Sequence, residues 1–176
     1  LEKYSGKILR VKIELFKRIP SQAGLGGGSS DAAAVLISLN EMFQLGIKYE
    51  TLLQLSLELG SDVPFFLKAK PAIGTSRGEI LEPLEFEIDR PMVIVNPGIN
   101  ISTREAFQNI LPAEAQTNFR DLVQDEKLNY DLVKDNVKND FEDYVFQRYT
   151  EIGKIKSEMY NQGALFALMS GSGSTV

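Results

Sequence analysis

Pro20 to Ala34 reads Pro-Ser-Gln-Ala-Gly-Leu-Gly-Gly-Gly-Ser-Ser-Asp-Ala-Ala-Ala, a glycine-rich segment that passes directly into an alanine-rich one. Before it, Leu9, Val11, Ile13 and Leu15 alternate with Arg10, Lys12 and Glu14, the period of a strand with one wet face, ending at Pro20. After it, Ala32, Val35, Leu36, Leu39, Met42 and Phe43 recur at helical spacing from Asp31, with Gly46 as the stop. A glycine loop between a strand and a helix lets backbone N–H groups converge on an anion, and the helix N-terminus adds about half a positive charge. Gly27 is expected to combine a positive φ with close approach to such an anion.

Two nucleotide-binding patterns fail at single letters. A Walker A loop needs Gly-Lys-Ser/Thr, and Gly28 is followed by Ser29-Ser30. A dinucleotide fingerprint starting at Gly24 needs glycine at position 29, which is serine. The plain alternative is a flexible linker with a Ser/Asp helix cap, but linkers seldom run straight into an amphipathic helix.

Residue types absent from the chain narrow the chemistry further. Its 176 residues include no Cys and no His, which excludes disulfides, thiolate catalysis, Ser-His triads and zinc held by either ligand. Carboxylates, hydroxyls, Lys, Arg and backbone N–H groups remain. A formal charge of -5 argues against nonspecific binding to nucleic acid or anionic membrane, though phosphate can still bind locally. With 43% hydrophobic residues the chain can bury a core, and no apolar run approaches the roughly 20 residues of a membrane span.

Downstream, a helix is predicted over Glu50–Leu59, closed by Gly60, with Asp62 at a cap position and Pro64 in a first turn. Strands are predicted at Ala72–Thr75, Leu84–Ile88 and Met92–Val95, and a domain boundary near Asp89. A short helix from about Arg104, a polar stretch through Asn139 and a long helix from Asp140 follow. Phe141, Val145, Tyr149, Ile152, Ile155 and Met159 form that helix's stripe, Asn139 and Glu142 sit in capping-box positions, and Gly163 is the stop. Strands and helices without regular alternation favour an α+β fold. Leu1 is not an initiator Met and Ser172–Val176 reads as a strand just begun, so sequence is expected to be missing on both sides.

Pro20-x-x-x-Gly24-Leu25-Gly26-Gly27-Gly28-Ser29-Ser30 resembles the ATP phosphate loop of the GHMP kinase superfamily. Lys17-Arg18-Ile19-Pro20, Asp31-Ala32-Ala33, Leu59-Gly60-Ser61-Asp62-Val63-Pro64-Phe65-Phe66 and Gly78-Glu79-Ile80-Leu81 extend the likeness, and it returns at Ser170-Gly171-Ser172-Gly173. Together these look like the branch that phosphorylates a cytidine diphosphate methylerythritol on its 2-hydroxyl. The resemblance implies a two-domain fold, with a ribosomal protein S5 domain 2-like part over residues 1–89 and a ferredoxin-like α/β sandwich over residues 90–176. It implies ATP and Mg²⁺ as cofactors, a small-molecule substrate, a monomer or homodimer, and a bacterial cytoplasmic or a plastid location.

The family's ATP loop falls on Pro20, Ser21, Gln22, Ala23, Gly24, Leu25, Gly26, Gly27, Gly28, Ser29 and Ser30, and its catalytic carboxylate on Asp62. From its position alone Asp62 reads as an N-cap for the turn at Val63 before it reads as a base; the surrounding motif reverses that order. Thr103 matches a substrate-facing position and equally a cap for the helix from Arg104. Gly171-Ser172-Gly173 resembles the superfamily's third motif, which packs near the phosphate loop; by itself it is equally an ordinary hairpin turn or a direct ligand contact. Lys17 and Arg18 are cations for ATP or solvated side chains. The family's catalytic Lys and the aromatic-His pair that binds cytidine belong to an N-terminal segment preceding Leu1. Another GHMP small-molecule kinase, or a nucleotide-binding fragment without catalysis, is the alternative.

Overall fold

The alanine-rich run is helical, but its helix begins inside the glycine loop rather than at Asp31. In the computed structural model, which describes residues 1–110 and 117–176, this helix spans Gly27–Met42. Gly26 caps it in the left-handed region at φ 62°, which costs a glycine little and places the first turn four residues earlier than the apolar spacing suggests. Part of the polar stretch expected before Asn139 lies outside the described residues.

The chain divides into two units, residues 1–18 with 26–84, and residues 19–25 with 85–176. The first unit contains α1 (Glu2–Ser5), α2 (Gly27–Met42), α3 (Tyr49–Leu59), α4 (Val63–Phe66) and the hairpin of β1 (Ala72–Thr75) and β2 (Ile80–Pro83). Buried apolar side chains in it include Ala33 and Leu36 of α2, Leu52 of α3, and Val63 and Pro64 of α4. Asn40 closes the α2–α3 connection, its amide bonding both the N–H and the carbonyl of Ile47 at 3.0 Å. β1 lies where it was expected, and β2 pairs with it antiparallel, Ala72 opposite Pro83 and Thr75 opposite Ile80. The strand expected over Leu9–Leu15 joins no ladder, and Val11, Ile13 and Leu15 are exposed. Alternation shows which face a strand would bury; a ladder also needs a neighbour for its N–H and C=O groups.

The second unit contains α5 (Thr103–Gln108), a 3₁₀ turn at Phe119–Leu122, β3 (Val123–Gln124) paired with β4 (Lys127–Leu128), α6 (Tyr130–Asn136), α7 (Glu142–Arg148) and α8 (Thr150–Asn161). Ile101, Ala106, Val145, Ile152, Ala167, Met169 and Val176 form its core. The single long helix expected from Asp140 is two helices, broken at Tyr149, whose φ of −130° and ψ of 76° are not helical. Its stripe still converges on one core because α8 packs closely on α7: a Cβ on Gly153 would lie 3.3 Å from Cβ of Phe146. Neither Asn139 nor Glu142 makes a capping box, as α7 starts from Phe141. Tyr144 donates to the Glu105 carboxylate, a bond that holds the phenol above its ordinary pKa.

Among the described residues Leu84–Ile88 forms no ladder strand: the Leu84 N–H bonds the Pro71 carbonyl at 3.0 Å and Glu87 makes an isolated bridge to Lys127. Met92–Val95 is not a ladder strand either; Val95 and Val176 exchange N–H to carbonyl bonds at 2.8 and 3.0 Å, while Met92, Val93 and Ile94 are exposed. Among the described residues no helix is long and apolar enough to cross a membrane.

The turn between β1 and β2 is closed by Glu79. Its carboxylate accepts from the Arg77 N–H at 2.7 Å and from the Ser76 hydroxyl at 3.1 Å. Backbone N–H donation, its own first and then that of Arg77, holds its pKa below the ordinary carboxylate value, and Ser76 and Arg77 act in the same direction. A depressed folded-state pKa gives stability that is present above the unfolded pKa and disappears as pH falls through the folded one. Glu79→Gln should therefore lower the melting temperature at pH 7, with the gap from wild type closing in acid; a gap independent of pH between 7 and 3 would show that the charge is not what closes the turn.

Candidate active site

Within the first unit, the expected phosphate loop supplies the start of α2. The first N–H groups of any helix lack intrahelical partners, and Gly26 has no side chain with which to cap them. The Ser30 N–H bonds the Gly26 carbonyl at 2.9 Å, and its hydroxyl donates to the Gly27 carbonyl at 2.9 Å, so Ser30 is tied into the first turn. Gly28 is exposed, and a Cβ there would meet no atom within 4 Å. Ser29 is half-buried.

Positive φ is carried by Gly24, at 73°, and Gly26, at 62°, not by Gly27, which has entered the helix and is buried. Each has a steric reason to lack a side chain. A Cβ on Gly26 would fall 2.5 Å from Cζ of Phe66, whose ring packs edge-on against Phe65 at 5.1 Å. The last residue of α4 thus lies over the cap of α2, which brings the Ser61-Asp62-Val63-Pro64-Phe65-Phe66 motif to the helix start. Asp62 precedes α4 in right-handed helical conformation, its side chain exposed and making no capping bond. The cap reading of Asp62 is therefore not what this structure has. Lys17 pairs with Asp31 at 2.5 Å, both about one-third exposed, and Arg18 is exposed.

Within the second unit, Pro20, Ser21 and Gln22 are exposed and Ala23 is buried. Gly24 meets the Ser170–Gly173 turn: a Cβ there would stand 1.9 Å from the Ser170 carbonyl oxygen, and the Ser170 hydroxyl donates to the Gly24 carbonyl at 2.7 Å. The Thr175 N–H reaches the Ala23 carbonyl at 3.3 Å and the Ile101 N–H the Gln22 carbonyl at 3.5 Å. The turn expected to pack near the loop does so. Thr103 is not the cap of its helix; Ser102 is, accepting from the Glu105 N–H at 3.3 Å, and Thr103 instead places its hydroxyl 3.3 Å from that of Ser172. Leu25 is half-buried between the two glycines.

Sequence reasoning missed the ring of Phe66 over Gly26 and the amide of Asn139, which reaches the carbonyls of Met169 and Gly171 at 2.7 Å each. The Val-Pro-Phe-Phe run gave a signal for the first. An asparagine just ahead of a helix reads as a cap, which concealed the second.

The glycine-started helix, the α4 motif and the Gly-Ser-Gly turn belong to one class of protein. Residues 1–70 match the GHMP kinases N terminal domain and residues 115–176 the GHMP kinases C terminal domain. The chain belongs to the GHMP kinase family. It is 42% identical over 167 residues to the 4-diphosphocytidyl-2-C-methyl-D-erythritol kinase of Bacteroides thetaiotaomicron, covering 94% of this chain and 60% of that one. It is 43% identical over 164 residues to the kinase of the same name from Syntrophotalea carbinolica, covering 93% and 58%. A crystal structure of 4-(cytidine 5'-diphospho)-2C-methyl-D-erythritol kinase superposes with a TM-score of 0.80 at 32% identity, over 99% of this chain and 63% of that one. The chain thus spans about three fifths of the length of the relatives it matches.

The two glycines beside the helix start should respond differently to alanine. Gly26→Ala combines a left-handed Cβ with a clash against Phe66 and should cost roughly 2 kcal/mol or more. Gly28→Ala meets open space in the first helical turn and should leave stability within about 1 kcal/mol of wild type. Urea unfolding of both variants measures the contrast, and equal losses would mean that Phe66 does not sit on Gly26.

Proposed function

We propose that the chain carries the phosphate loop and catalytic carboxylate of a kinase that transfers the γ-phosphoryl group of ATP to the 2-hydroxyl of 4-diphosphocytidyl-2-C-methyl-D-erythritol, in non-mevalonate isoprenoid precursor synthesis. The observation that carries this reading is the Phe66–Gly26 contact, which joins the exposed Asp62 motif to a helix start that no side chain caps with a hydrogen bond. On this reading residues 1–89 are the remainder of the ATP-binding domain and residues 90–176 belong to the C-terminal domain. Pro20 to Ser30 surround the phosphates, and Thr103 faces the substrate.

Phosphoryl transfer asks for positioning and charge neutralisation more than for covalent chemistry. Backbone N–H groups of Gly27, Gly28 and Ser29 would hold the phosphate oxygens. The acceptor hydroxyl oxygen forms the new P–O bond as the bond to the β,γ-bridging oxygen breaks and ADP leaves. Asp62, as a carboxylate, orients that hydroxyl and accepts its proton. Magnesium, bound together with ATP, would supply charge neutralisation at the phosphates; among the described residues no group of three or more His, Cys, Asp or Glu side chains could hold a metal ion. No residue here is assigned to it.

Because Cβ atoms tilt toward a helix N-terminus, a branched side chain at position 28 would stand over the phosphate position. Gly28→Val should weaken ATP binding by roughly tenfold or more in a folded protein. Titration calorimetry reads this directly, and an unchanged affinity would remove the loop assignment.

Asp62→Asn should lower kcat by roughly 10²–10⁴-fold. Its melting temperature should hardly move, as no cap bond is lost. Normal turnover would discard the base. A coupled ADP-release assay on the intact protein across acceptors tests the substrate. Preference for the cytidine-linked methylerythritol over its phosphate lacking cytidine is expected; preference for mevalonate or homoserine would transfer the chain to another branch, and ATP binding without turnover would leave only a nucleotide-binding fragment.

A further inference from the structure

We propose that Asn139 is a positioning residue that fixes the Ser170–Gly173 turn, and through it the Gln22–Gly24 half of the glycine-rich loop; this rests on the loop's reading as the ATP site. Asn139 is half-buried just ahead of α7. Its Oδ1 accepts from the Phe141 N–H at 2.9 Å, which fixes the amide on the helix. Both hydrogens of its Nδ2 are then committed thirty residues away, to the carbonyls of Met169 and Gly171 at 2.7 Å each.

Those carbonyls flank Ser170. Glu142, buried and paired with Lys156 at 2.6 Å, accepts the Met169 N–H at 2.9 Å, so the approach to Ser170 is held from both sides of the backbone. Ser170 bonds the Gly24 carbonyl and leaves no space for a Cβ on Gly24. Rotation of the Ser170 peptides therefore cannot occur without displacing Gly24, and Asn139 opposes that rotation. A residue that only began α7 would not need its two donors.

The test uses Asn139→Asp, which keeps the acceptor for Phe141 but replaces the donors with an oxygen facing two carbonyls, alongside Asn139→Ala. Ile155→Ala, a truncation in α8, is the control for lost stability alone. Both Asn139 variants should raise the Kd and KM for ATP by roughly tenfold, with KM for the acceptor alcohol unchanged. Ile155→Ala should melt earlier at wild-type ATP affinity. Asn139 variants that melt earlier yet bind ATP as wild type does would overturn the inference and leave the loop's role standing. Failure of the wild-type protein to bind ATP would overturn both together.

Discussion

The contact on which the second unit's share of the loop depends is backbone against backbone, Gly24 on Ser170. No side chain fits between them, since a Cβ on Gly24 would stand 1.9 Å from the Ser170 carbonyl oxygen. A contact of this kind is set by the path of two chain segments and not by side-chain packing, so it has little tolerance. Several bonds near it hold those paths. Asn139 and Glu142 hold Met169 and Gly171, Thr175 bonds Ala23, and Val176 bonds Val95. The same logic operates in the first unit, where Phe66 occupies the volume that Gly26 leaves empty.

Glycine here does two things that the sequence presents as one. Gly24 and Gly26 are required by positive φ and close neighbours. Gly27 and Gly28 lie within helix α2, where an alanine would ordinarily be favoured; Gly27 is buried, but Gly28 is exposed with open space for a Cβ, so its lack of a side chain is not explained by the fold. That is what a backbone anion site would need: the residues that satisfy geometry stand next to one, Gly28, that leaves the helix start accessible. Reading four glycines as one flexible loop hides this division.

The α+β class and the helices over residues 31–42 and 50–59 were legible because apolar spacing is a local signal. So were the motifs around Gly26 and Asp62. The strands expected at Leu9–Leu15 and Met92–Val95 show the limit of that signal: alternation specifies a face, and pairing depends on distant chain. The break at Tyr149 was invisible for a related reason. Phe141, Val145, Ile152 and Ile155 face a common core whether their helix is continuous or folded at one residue. Asn139 and Glu142 were singled out for a capping box that α7 does not have, whereas their bonds to the Met169 backbone reach about thirty residues on.

The seven residues Ile19–Leu25 belong to the second unit although they lie between two stretches of the first. The chain therefore passes between units three times, after Arg18, after Leu25 and after Leu84. No single cut yields two intact halves. A chain severed after Leu84 would strand Ile19–Leu25 on the fragment that does not pack around it, and the remainder would lose the segment against which Ser170 and Thr175 are bonded. Domain exchange between relatives at one junction would carry the same defect, so the loop and the Gly-Ser-Gly turn would have to be inherited together.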